Sequence, residues 1–151
     1  MFSRRSFVLS LSAACSIGAA SRVFAEQPRF FTRNGAVIGG YDVVAYFTEG
    51  KPVMGDSAHS VMWQGGTWLF STAQNRERFE MNPRAYAPQY GGYCAYAVAR
   101  GYTAKVEPEA WRVVDDKLYL NYSRAVRALW AANIPGNIAK GDENWPAVLK
   151  K

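Results

Sequence analysis

Few side chains in this sequence can do chemistry beyond acid and base pairing at a surface. Among its 151 residues there is one histidine, His59, and there are two cysteines, Cys15 and Cys94. An imidazole and a thiolate can ligate a soft metal ion, and they can also act as a base and the nucleophile it activates. His59 and Cys94 are therefore the candidate metal ligands, or the candidate pair of a thiol enzyme. So few ligands exclude the structural zinc sites built from four Cys and His. A metal would need low coordination with help from a thioether of Met54, Met62 or Met81, and copper in its monovalent state suits that donor set best. The second candidate is the stretch Tyr86-Ala87-Pro88-Gln89-Tyr90-Gly91-Gly92-Tyr93-Cys94-Ala95-Tyr96, which packs four tyrosines, a glycine pair and Cys94 into eleven residues. Tyr90, Tyr93 and Tyr96 could line a small-ligand or protein-binding pocket without metal. In the plain structural alternative Cys94 is a small buried hydrophobe and the tyrosines supply core area.

These residues are positioned by hairpins and short helices. Ser60–Gln64 and Thr67–Ser71 flank Gly65-Gly66, which predicts a two-residue turn pairing Trp63 with Trp68 and Val61 with Phe70. His59 then lies opposite Thr72 and points towards the core. Ser71 followed by Gln74 has the form of a capping box opening a helix over 72–81, which Pro83 stops. A second hairpin joins Trp111–Val114 to Lys117–Asn121 through Asp115-Asp116, with Trp111, Val113, Leu118 and Leu120 on one face. A short helix over 93–99 follows Gly91-Gly92. Ser123 opens another helix that carries Val126, Leu129 and Trp130 at spacings of three and four and ends before Pro135, and a last short one covers 142–149. The fold class is α+β, small antiparallel hairpins packed with short helices in a single domain over 26–151.

The first 25 residues read as a leader. Ser3-Arg4-Arg5-Ser6-Phe7 precedes a mildly apolar stretch, Val8 to Ala20, too short and too rich in Ser and Gly to span a membrane. Paired arginines before a weak apolar core are the pattern of twin-arginine export, with cleavage after Val23-Phe24-Ala25 and a periplasmic protein beginning near Glu26. An ordinary secretion signal with two chance arginines is the alternative. The leader carries Arg4, Arg5 and Arg22 and no acid, so the net charge of +6 falls to 15 cations against 12 anions, or +3, in the remainder. No basic run and no nucleic-acid-binding spacing survives there, which argues against a DNA or RNA partner. With Cys15 gone, Cys94 is left without a disulfide partner, and stability must come from the core.

Gly40-Tyr41-Asp42-Val43-Val44-Ala45-Tyr46-Phe47, Trp63-Gln64-Gly65 through Phe70-Ser71, Phe79 to Pro83 and Tyr86, Tyr90-Gly91-Gly92-Tyr93-Cys94-Ala95, Lys117-Leu118-Tyr119-Leu120-Asn121 and Asn144-Trp145-Pro146 together resemble a YHS-domain protein of the exported bacterial type. The likeness covers almost all of the chain after the leader. It implies a treble-clef-like core, a hairpin followed by a helix, and metal binding, and the family's namesake Tyr, His and Ser carry over to Tyr46, His59 and Ser71. Many metal-binding relatives have cysteines where this chain has Ser71 and Gln74. Asp42, ahead of an apolar run, reads as a turn or cap residue rather than a catalytic acid.

Three functions follow: a non-catalytic copper-type module using His59 and Cys94, a metal-free module binding a small ligand or a protein through 86–96, and a thiol enzyme using Cys94. Replacing Arg4 and Arg5 together by Lys should leave unprocessed protein in the cytoplasm, read by immunoblot of cell fractions. Normal processing of that double variant would defeat the twin-arginine reading.

Overall fold

The computed structural model of the chain describes Gly18 and residues 25–151; the expected leader otherwise lies outside the described residues. The described residues form an α+β fold of three separate two-stranded antiparallel sheets and six α-helices. The first sheet pairs β1 (Thr32–Arg33) with β2 (Ala36–Val37) around Asn34-Gly35, whose positive φ values of 54° and 76° suit a two-residue hairpin turn. An Asn-Gly pair is a strong local hairpin signal, and this hairpin adds to the two expected from the sequence.

The hairpin of β3 (Asp56–Trp63) and β4 (Gly66–Phe70) differs instructively from expectation. Its turn is Gln64-Gly65, at φ 49° and 80°, one residue earlier than the predicted Gly65-Gly66. Trp63 therefore pairs with Gly66 and Val61 with Trp68. Moving a turn by one residue slides the register by two, so each side chain keeps its face. Trp68 and Phe70 are buried, with Val61 and Trp63 packed on the same core. Gly66 takes the turn-flanking strand position because a Cβ there would stand 2.8 Å from Val37 Cγ2.

Beyond Ser60 the pairing breaks. Ser60 pairs with Leu69 but Asp56 with Phe70, so three residues of β3, Ser57 to His59, bulge out against a single step of β4. His59 lies in this bulge, half-buried and outside the paired register, rather than opposite Thr72.

The helix α2 (Ala73–Met81) is capped by Thr72, whose hydroxyl accepts from Asn75 N–H at 3.1 Å. Ser71, the predicted cap, is engaged elsewhere. Its N–H and hydroxyl both donate to Asp42 Oδ2, at 2.9 and 2.7 Å, and Asn75 Nδ2 donates to the same oxygen at 2.8 Å. Asp42 Oδ1 accepts from Val44 and Ala45 N–H, opening α1 (Ala45–Thr48). Asp42 is fully buried and holds the turn that leads into α1, a turn residue as the sequence suggested. Phe79 on α2 then meets Trp68 at 4.9 Å and Phe70 at 5.0 Å between ring centroids.

Pro83 begins α3 (Pro83–Tyr86) directly after α2. α4 (Ala95–Ala99) follows the glycine pair, and β5 (Trp111–Val114) and β6 (Lys117–Leu120) pair in the predicted register around Asp115-Asp116. β6 is buried on both sides: Leu118 and Leu120 enter the core of the first hairpin, while Tyr119 enters a second core with Tyr90, Val98, Trp130 and Leu149. α5 (Arg124–Ala131) is capped by Ser123 as expected and buries Trp130, but Leu129 is 56% exposed. The last helix is α6 (Ile134–Asn144), not 142–149, and Pro135 stands in its first turn. A short 3-10 turn, Ala147–Lys150, closes the chain.

Because five donors converge on Asp42, Asp42→Asn, though isosteric, turns an amide NH2 towards N–H and O–H groups. It should cost about 3 kcal/mol or more in urea denaturation, against about 1 kcal/mol for Thr72→Ala. An Asp42→Asn variant no less stable than Thr72→Ala would show that the carboxylate does not organise the fold.

Candidate functional site

The segment 86–96 is held by backbone geometry that few residues accept. Tyr90, Gly91 and Gly92 all have positive φ, at 58°, 62° and 82°. A non-glycine residue in this left-handed region carries a strain of about 1 kcal/mol or more, maintained only where its surroundings over-determine it. At Tyr90 the surroundings are explicit. Its hydroxyl donates to Asp142 Oδ1 at 3.0 Å, with Ile138 O a second acceptor at 3.3 Å. α6 admits the ring only because position 141 is glycine, where a Cβ would stand 2.5 Å from the Tyr90 oxygen. Gly91 is equally constrained: residues 29–31 cross it, Phe31 N–H donates to Gly91 O at 2.9 Å, and a Cβ on Gly91 would run into Arg29 O.

These constraints open a cleft of about 270 Å3 over Tyr90. Arg29 and Phe30 come from the segment before β1, Trp63 and Gln64 from the first-hairpin turn, Arg84 from α3, Ala87 to Gly91 from the strained loop, and Asp142 and Trp145 from the end of α6. Arg29 Nε donates to Gln64 Oε1 at 3.1 Å, and the Arg84 guanidinium lies 5.8 Å from the centroid of the Trp63 ring. Burial, followed by the hydrogen bond and charge of Asp142, pushes the Tyr90 hydroxyl far above the ordinary tyrosine value, so it stays a neutral donor.

The other tyrosines of the segment go elsewhere. Tyr93 donates to Pro28 O at 2.7 Å, tying down the N-terminal strand segment, and burial pushes its hydroxyl pKa up. Tyr96 is half-buried beside a separate, mostly apolar pocket of about 270 Å3 lined also by Cys94, Tyr102, Tyr122 and Val126. Tyr86 packs edge-on against Phe47.

Cys94 is free, 1% exposed, and sits at the N-terminal end of α4. Its sulfur lies 3.6 Å from Asn121 Oδ1 as donor and accepts Tyr122 N–H at 3.3 Å. Asn121 Oδ1 also accepts Tyr96 N–H at 3.1 Å, while Asn121 Nδ2 is buried without a partner among the described residues. Burial pushes the Cys94 thiol up, and the backbone N–H groups around it offset only part of that rise. His59 is neither among the groups bonded to Cys94 nor among those lining the adjacent pocket. Among the described residues no three His, Cys, Asp or Glu are grouped to hold a metal ion. Met54, Met62 and Met81, the candidate thioethers, are 57%, 70% and 86% exposed.

Two residues carried over by family resemblance have structural partners. Tyr46 is buried against Trp111 and donates to Pro108 O at 2.9 Å, and Ser71 serves Asp42. Conversely, Arg29, Arg84 and Asp142 line the cleft without having been singled out in the sequence, and Trp145 had entered only within the motif Asn144-Trp145-Pro146. They are separated by up to 116 positions from Arg29 to Trp145, and no local spacing links them. No helix among the described residues is long and apolar enough to cross a membrane. No family model, curated protein or solved structure matches the chain.

With its proton held by Asn121 and its pKa raised, Cys94 should resist iodoacetamide at neutral pH until urea unfolds the protein. Mass spectrometry reads the outcome, and rapid alkylation of the native state below pH 7 would mean a thiolate this geometry does not provide.

Proposed function

We propose that the chain is an exported, YHS-like domain with a treble-clef-like core that binds a small molecule non-covalently in the cleft over Tyr90. The observation that carries this reading is the convergence of two guanidinium groups, a carboxylate and two indoles on a residue held in strained backbone. Local strain of this kind clusters at binding sites, and ligand sites are concave surfaces with aromatic walls and a few convergent polar groups. Export to the periplasm is the part of the proposal that rests on the leader, and the YHS assignment rests on the motifs quoted above.

Cys94 is a poor fit to the alternatives. A copper ion would have to draw the sulfur away from an amide oxygen and a backbone N–H and supply it with a second soft donor. The surroundings of the sulfur suit a protonated thiol. The same raised pKa makes it a weak nucleophile, and His59 is not its hydrogen-bond partner.

A screen of small-molecule mixtures against 15N-labelled protein tests the reading. Binders should move the indole N–H signals of Trp63 and Trp145 and the backbone signals of 84–91, and Tyr90→Phe should weaken them while lowering stability by only about 1 kcal/mol. Shifts confined to Cys94 and His59 on adding one equivalent of Cu(I), with nothing binding the cleft, would overturn it in favour of a metal module.

A further inference from the structure

We propose that the ligand of this cleft is a small aromatic acid: one planar ring carrying a carboxylate. The inference rests on the cleft reading above and deepens it.

Size sets the first bound. A cavity of about 150 Å3 holds a benzene ring, and drug-sized sites begin near 300 Å3. At about 270 Å3 the cleft over Tyr90 accommodates one ring and a substituent or two.

Charge sets the second. Arg29 and Arg84 line the cleft together with Asp142, two cations against one anion, and among the described residues neither arginine has a carboxylate within ion-pair distance. Each has a side-chain neighbour in the cleft. Gln64 fixes Arg29 through its Nε, which leaves the terminal nitrogens for a ligand, and the Trp63 ring supports Arg84 from its face. Guanidinium groups oriented in advance bind a planar oxyanion with paired N–H donors at a reduced entropic cost.

The walls set the third. Trp63 and Trp145 line the cleft and are both half-buried, and with the Arg84 guanidinium over Trp63 the indole surface left for a ring to cover is that of Trp145. The Tyr90 hydroxyl donates to Asp142 Oδ1, while among the described residues Asp142 Oδ2 accepts no hydrogen bond, so a hydroxyl on the ligand has an acceptor in the cleft wall. A para-hydroxyl on the ring supplies that donor.

The probe is 4-hydroxybenzoate, measured by isothermal titration and tryptophan fluorescence against 4-hydroxybenzamide, which keeps the ring and loses the charge, and cyclohexanecarboxylate, which keeps the charge and loses the ring. The aromatic acid should bind saturably, and each control at least about tenfold more weakly, the discrimination lost with one charge-assisted contact. Arg29→Gln and Arg84→Gln, both at exposed positions, should each weaken binding about tenfold or more with unaltered unfolding midpoints. Equal binding of the benzamide with signals shifting in the cleft would overturn the acid and leave the cleft reading standing. Failure of all three probes, and of the wider mixtures, to move any cleft signal would overturn both.

Discussion

The Asp42 carboxylate is the interaction on which the arrangement of the chain depends. It is fully buried, and each of its oxygens is surrounded by donors: Val44 and Ala45 N–H on one, Ser71 N–H, Ser71 hydroxyl and Asn75 side-chain amide on the other. An oxygen pair in this position is tolerable only because it satisfies five groups that would otherwise be buried without partners. It joins the start of α1 to the end of β4 and the first turn of α2, three elements that the hydrophobic effect alone would bring together without fixing their angles. Once these are fixed, Tyr46 on α1 faces Trp111 and the second hairpin, while Phe79 on α2 closes over Trp68 and Phe70. The tyrosine and serine that a family likeness marks as functional are here members of this frame.

The frame then supports the cleft through glycine. A tyrosine in a left-handed conformation needs compensation, and Tyr90 receives it from both sides. On one side Gly91 lets residues 29–31 lie directly on the loop backbone, and on the other Gly141 lets the phenol lie directly on α6. Arg29 and Asp142, far apart in the chain, are thereby brought to the same opening. The strain at Tyr90 and the composition of the cleft go together, because residues 29–31 close on the loop backbone at Gly91 while α6 closes on the Tyr90 ring at Gly141.

Much of this fold was legible in the sequence, because alternation of apolar residues survives errors of register. Displacing the turn to Gln64-Gly65 changed every cross-strand pair of the first hairpin and no side chain's face. The second hairpin was legible in full, since consecutive aspartates at positive φ leave a turn no other place. What failed was whatever depended on a local pattern that tertiary contacts override. Pro135 looks like a terminator and is the opening turn of α6; Ser71 looks like a helix cap and is a carboxylate ligand; Leu129 fits the helical spacing and faces solvent. His59 was placed by extending an alternation through residues where β3 bulges, and no local pattern announces a bulge.

The candidate site divides along the same line. Segment 86–96 stood out for its composition, and its centre, Tyr90, does line a cleft, but the tyrosines were read as a group when the structure sends them in different directions. A strained loop has no periodicity, so successive side chains need not share a face, and the spacing of Tyr90, Tyr93 and Tyr96 carries no information about where they meet. Cys94 illustrates the converse. Rarity made it conspicuous, whereas its environment is that of a small core residue whose S–H and lone pair are both occupied by Asn121 and Tyr122. Residue type ranks what a side chain could do. Whether it does so is decided by what surrounds it, and the cleft over Tyr90 gathers two guanidinium groups, a carboxylate and two half-buried indoles.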